Sequence, residues 1–169
     1  RGETIYKKTC QKCHGVTRFI PLKRIKTDPY RALSLTPQAL KLVAKNLKIA
    51  CKVGNKHNCD LPQDEIIKDR TKNPGYIAMP LDGIWARAPY LHNGSVPSLY
   101  HMLVPSERPK KFRRGNINYD KKLVGFEWRK GGRATYNTEL KSFSNRGHED
   151  KKVFFGGIDF KAEKGKRED

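Results

Sequence analysis

The chain has 169 residues, 36% hydrophobic and 31% charged, with 36 Lys and Arg against 17 Asp and Glu for a net charge of +19. This composition falls in the globular range, and the absence of any apolar run of about 18 residues excludes an ordinary membrane-crossing helix. No apolar leader segment opens the chain, so the expectation is a soluble chain, mature or a fragment, forming one domain over residues 1–169.

In chain order, "GETIYKKTCQKC" predicts a first helix over roughly residues 3–13, and "IPLKRIKTDPYRALSL", broken by Pro21 and Pro29, reads as irregular. "TPQALKLVAKNLKIA" predicts a second helix. Thr36 is its N-cap, Pro37 takes the first helical position, and Leu40, Val43, Ala44 and Leu47 form an apolar stripe suited to core or cofactor wall. Residues 51–60 form a loop closed by Cys51 and Cys59, which read as a disulfide contributing about 2 to 3 kcal/mol. Residues 61–76 hold one short helix before Asn73, Pro74 and Gly75 turn the chain. Residues 76–103 are apolar and well punctuated. Residues 104–135 form a basic loop insertion with little periodicity and room for one hairpin, and the charged tail follows. The expected fold class is mainly α, with long irregular loops and at most one short hairpin.

The motif carrying chemistry is "TCQKCHG", residues 9–15. A redox dithiol belongs after a strand at a helix N-terminus, where the dipole lowers a thiol pKa; here the cysteines end a helix. Zinc needs two more ligands, and Cys51 and Cys59 are seven residues apart, a long second knuckle that leaves the histidine without a role. Haem c uses every residue: Cys10 and Cys13 as thioether anchors and His14 as proximal iron ligand. One attachment motif means one covalent haem. Covalent haem attachment belongs to a periplasmic or otherwise extracytoplasmic compartment, where disulfides are also permitted.

The distal position decides between carrier and catalyst. Met79, Met102, His57, His92, His101 and His148 are available, and periodicity does not choose among them. "MPLDGIWARAPYLHNGSVPSLYHML", residues 79–103, resembles the signature of the di-haem cytochrome c peroxidase superfamily, in its rubber-oxygenase-like branch. "YKKTCQKCHG", "TDPYRA", "SERPKKFRRG" and "YNTELKSFSNRGHE" extend the resemblance over most of the chain. It implies the C-terminal haem domain of those proteins, a cytochrome c-like fold. It also implies His148 as the distal ligand, with Met79 and Met102 as alternatives, and His92 beside the haem, orienting a propionate or backbone. Trp85 and Tyr90 would line the haem pocket or core.

Two departures stand beside the resemblance. The family's enzymes carry two haems and this chain has one motif; and the chain stops at "GKRED", where such domains continue into an apolar C-terminal helix against the first helix. The favoured function is an electron-transfer domain with one six-coordinate haem. The alternative is the relay half of a di-haem peroxidase or oxygenase, the only enzyme class the resemblance offers. A third reading is a zinc-stabilised, basic nucleic-acid-binding protein.

Charge points to the partner. Between Glu107 and Arg133, ten basic residues face three acids, suiting an acidic redox protein or other haem subunits, or an anionic membrane surface. Phe112, Tyr119, Phe126 and Trp128 interleave with these charges, but no nucleic-acid-binding motif accompanies them, so nucleic acid ranks last.

Overall fold

The computed structural model describes residues 2–34, 36–53 and 72–165. Helix α1 (Gly2–Thr9) leads into the one-turn helix α2 (Gln11–His14), then strand β1 (Arg18–Pro21) and the short helices α3 (Leu22–Ile25) and α4 (Tyr30–Leu33). Helix α5 (Pro37–Val53) and strand β2 (Gly75–Ala78) follow, then a 3-10 turn at Ile84–Arg87, helix α6 (Leu99–Leu103) and a second 3-10 turn at Pro105–Glu107. Strands β3 (Lys111–Arg114), β4 (Tyr119–Asp120), β5 (Gly125–Phe126) and β6 (Ala134–Asn137) precede helices α7 (Lys151–Phe155) and α8 (Phe160–Gly165).

The mainly α expectation is overturned. Helix accounts for 37% of residues and strand for 17%, a mixed fold with several small antiparallel sheets. In place of at most one hairpin there are three two-stranded pairings among the described residues: β1 with β2, β3 with β6, and β4 with β5. The physical reason lies in strand composition. In β3, only Phe112 of "KFRR" is apolar; it is buried and stacks on Tyr136 of β6 at 5.2 Å between ring centres, while charged neighbours occupy the flanking positions. One aromatic per four-residue strand is enough to anchor the ladder, yet too little for a visible period of two.

β1 and β2 pair from Arg18↔Ala78 to Pro21↔Gly75. Gly75 permits that register, because a Cβ there would collide with the Ile20 carbonyl. Helix α5 begins where the cap predicts, with the Ala39 amide donating to Thr36 Oγ1 at 3.2 Å. Its stripe is not sealed, however: Leu40 is half-buried and Val43 is 50% exposed. The short helix expected within residues 61–76, and the Cys51–Cys59 disulfide, lie outside the described residues.

The core is small and partly polar. Ile20, Tyr90, Val96, Val104, Phe112 and Phe155 are buried, as are Asp28, Ser95, Ser98 and His101. Tyr90 and Val96 bridge across a tight loop, with Tyr90 N donating to Val96 O at 2.7 Å. This loop holds Asn93 against the C-terminal segment. Asn93 Nδ2 donates to Ser144 O at 2.9 Å, and Tyr136 Oη donates to Asn93 O at 3.0 Å.

Candidate metal centre

The predicted first helix breaks at Cys10, and the second cysteine sits on the one-turn helix after it. Within that turn, Cys13 N and His14 N both donate to Cys10 O, at 3.1 and 2.9 Å. Residues three apart on a helical turn share a face, and both cysteines are free and half-buried on the turn that carries His14. Tyr6 Oη closes the turn by donating to His14 O at 3.2 Å.

His14 Nδ1 lies 2.7 Å from the Met79 carbonyl. A carbonyl only accepts, so Nδ1 carries the proton and the Nε2 lone pair is left for a metal. β1 directly follows the cysteine motif and pairs with β2, whose last residue precedes Met79; strand pairing thus delivers this carbonyl.

The second imidazole comes from the far end of the chain. The His148 ring faces that of His14 with 6.3 Å between centres and a 30° tilt. Its Nδ1 is buried without a hydrogen-bond partner, and Phe154 packs on the ring at 4.5 Å. Burial above all, then the neighbouring His14 and Arg108, push its pKa down to about 4, which keeps the ring neutral and able to ligate.

The loop carrying His148 has no regular secondary structure from residue 143 to 150. Three side chains from two distant segments hold it. Thr27 Oγ1 donates to Arg146 O at 2.8 Å, Asp28 Oδ2 accepts from Ser144 N at 3.3 Å, and Arg108 Nη1 donates to the carbonyls of Asn145 and Gly147 at 2.6 and 2.8 Å. Gly147 adopts φ 125° and packs against Thr27, and His148 adopts φ 57°, the left-handed region that a β-carbon disfavours.

The other sequence-predicted residues are dispersed. His92 stacks on Tyr76 at 3.8 Å, with its Nε2 buried and unpartnered, its carbonyl accepting from Arg31 Nη1 at 2.7 Å, and its pKa lowered chiefly by burial. Trp85 is 61% exposed and meets Tyr119 edge to face. Tyr90 is core, its hydroxyl donating to Ile84 O at 3.0 Å, and burial pushes its pKa up to about 12. Met102 is half-buried on α6. His101 is buried against Ser98 Oγ at 2.6 Å from its Nδ1, and His57 lies outside the described residues.

Among the described residues, no group of three or more His, Cys, Asp or Glu gathers around a point where a metal ion would sit. The residue that sequence reasoning passed over is Arg108, counted there as one of ten charges on a basic stretch. No sequence signal distinguishes it from Lys110 or Arg113; its role is visible only once its partners at 145 and 147 are in place.

A family model described as RoxA-like, cytochrome c-like, matches residues 75–113. That span, from β2 through most of β3, is a cytochrome c-like region, and such a region implies haem c in general. Two curated relatives are similar, both from Sinorhizobium fredii (strain NBRC 101917 / NGR234). The protein named uncharacterized protein y4iM is 40% identical over 140 residues, covering 75% of this chain and 32% of its own length. The one named uncharacterized protein y4iJ is 31% identical, covering 88% of this chain and 33% of its own length. The chain thus spans about a third of each.

The donor set fits haem c. Two free thiols share one helical turn, and two imidazoles face each other across a gap of suitable width. With a metal–nitrogen bond of about 2 Å on each side and roughly 1 Å more to each ring centre, a shared metal places ring centres about 6 Å apart, close to the 6.3 Å seen.

Proposed function

We propose that the chain is an electron-transfer domain carrying one covalently attached haem c, six-coordinate, with Cys10 and Cys13 as anchors and His14 and His148 as axial ligands. The observation that carries this reading is the opposition of the His14 and His148 rings. Bound haem supplies a one-electron couple at iron.

Every other part of the mechanism belongs to the chain. The Met79 carbonyl holds the proton on His14 Nδ1 and orients the ring. Met79 therefore stands behind the proximal imidazole, which argues against its sulfur as the distal ligand. Burial and the Phe154 ring keep His148 neutral and screen it from water. His14 and His148 as the two ligands would favour a lower potential than a histidine–methionine pair, and with both imidazoles engaged the chain would offer no open position for peroxide or dioxygen. His92, stacked on Tyr76 with Nε2 unpartnered and its carbonyl held by Arg31, is in this reading a polar neighbour of the haem edge and not a ligand.

An acidic redox protein, or another haem-bearing subunit, is the partner this surface suits. In the basic stretch, the three acids are engaged internally. Glu107 pairs with Lys161 at 2.8 Å and Tyr100 Oη at 2.6 Å, Asp120 Oδ1 accepts from the amides of Lys122 and Leu123, and Glu127 Oε1 accepts from those of Trp128 and Arg129. Lys121, Lys122, Lys130 and Arg133 are exposed, leaving a strong positive field for steering. An extracytoplasmic location accompanies this reading, as is usual for RoxA-like cytochrome domains. The same site would also serve as the relay half of a larger di-haem peroxidase or oxygenase, a second reading favoured by relatives about three times the length of the matched region.

The test is the visible absorption spectrum of the purified chain, oxidised, dithionite-reduced, and reduced under carbon monoxide, for wild type and His148→Ala. Sharp reduced bands untouched by carbon monoxide in wild type, and shifted by it in the variant, are expected. A colourless protein would return the cysteines to zinc, and a variant that keeps the wild-type spectrum would remove His148 from the iron.

A further inference from the structure

Arg108 is a cation with an unusual set of partners. It follows the 3-10 turn after α6, and its guanidinium is largely buried, bonded to backbone carbonyls at both of its ends. On one side, Nε donates to His101 O at 2.9 Å and Nη2 approaches Met102 O at 3.4 Å. On the other, Nη1 donates to Asn145 O at 2.6 Å and Gly147 O at 2.8 Å. Burial draws its pKa down to about 10, against the attraction of Glu149. A desolvated guanidinium is costly unless its donors are satisfied, and here carbonyls do that work.

The two ends differ in rigidity. His101 and Met102 belong to α6, which is capped by the buried Ser98 and packed into the core. Asn145 and Gly147 belong to a loop without regular structure, in which two consecutive residues, Gly147 and His148, take positive φ. Such backbone does not hold its shape unaided; it persists where surrounding bonds over-determine it. Nη1 of the planar guanidinium donates to two carbonyls of the turn, Asn145 and Gly147, while Nε, fixed in the same plane, donates to His101 on α6, and a lysine ammonium lacks that fixed geometry.

We propose that Arg108 is the positioning residue for the second axial imidazole, stapling the 145–147 turn to α6 so that His148 is presented to His14. The inference rests on the reading of His148 as an axial ligand. It predicts that removal of the guanidinium frees the His148 turn without dismantling attachment at Cys10 and Cys13, whose turn Arg108 does not bond.

The experiment compares the haem-loaded wild type with Arg108→Met, Arg108→Lys and His148→Ala, each well below its own thermal unfolding midpoint. The readouts are the oxidised spin-state bands, the fraction of reduced protein that takes up carbon monoxide, and recovery of the low-spin spectrum on adding free imidazole. Loss of two charge-assisted bonds should raise the carbon-monoxide-reactive fraction of Arg108→Met by about tenfold or more over wild type, with Arg108→Lys intermediate and imidazole restoring the low-spin bands in both. A merely structural arginine would lower the unfolding midpoint and leave these bands as in wild type. That outcome in both Arg108 variants, with His148→Ala reactive, overturns the inference while the axial reading stands. If His148→Ala also stays inert to carbon monoxide, the axial reading itself falls and the inference goes with it. Should Arg108→Met fail to fold, Arg108→Lys, which keeps the charge and most of the alkyl stem, carries the test.

Discussion

His101 should make this protein acid-sensitive, chiefly through burial and independently of His14 and His148. The ring is 3% exposed, packed edge-on against Tyr100 and Trp128, with Nδ1 2.6 Å from Ser98 Oγ. Burial first, then the nearby Arg129, push its pKa from 6.5 down to about 4, with Glu107 acting in the opposite sense. The folded-state value is depressed for a group that is neutral when deprotonated, so the unfolded chain takes up the proton first as pH falls. Above about pH 7 both states hold a neutral ring and the term vanishes; below about pH 6.5 stability is lost progressively until the folded-state pKa is reached. A shift of about 2.5 units at 1.36 kcal/mol each gives a full loss of about 3 kcal/mol, of which about 2 kcal/mol is gone by pH 5. The perturbation is His101→Asn, which keeps an acceptor near the Ser98 hydroxyl and removes the titration. Urea unfolding at about pH 8 and about pH 5 should show the variant less stable than wild type at the higher pH, through the cavity beside Trp128, yet with about 2 kcal/mol less dependence on pH. Parallel pH dependences in the two proteins would refute the reasoning, since other acid-sensitive groups, His148 among them, are common to both.

Electron exchange with an acidic redox protein should slow steeply as salt is raised from about 0.02 to about 0.5 M, because the exposed lysines and arginines act over a Debye length that shrinks with ionic strength; a rate indifferent to salt in stopped-flow mixing would remove charge steering. Gly75→Ala should destabilise the chain by about 1 to 3 kcal/mol in urea, because the added Cβ meets the Ile20 carbonyl and forces β1 and β2 apart. An unchanged urea midpoint would mean that the strand register does not depend on that close approach.

Elements with a local cause were legible before any fold was known. The cysteine–histidine motif suggests a haem anchor because its thiols and imidazole are close in sequence, and α5 starts at Pro37 because Thr36 caps it and proline suits the first position. His148 was suggested by resemblance, not by its own surroundings, and nothing local sets it apart from His92 or His101.

What only tertiary structure decided is pairing across distance. Whether "KFRR" is a strand depends on Tyr136, some twenty residues later, stacking on Phe112. The His14 tautomer depends on a Met79 carbonyl brought over by the β1–β2 ladder, and the His148 turn depends on Thr27, Asp28 and Arg108. Arg108 shows the reason most plainly. In sequence it is one positive charge among ten; buried against carbonyls at 101, 145 and 147, it becomes a staple, because a guanidinium removed from water must satisfy its donors on whatever backbone the fold brings within reach.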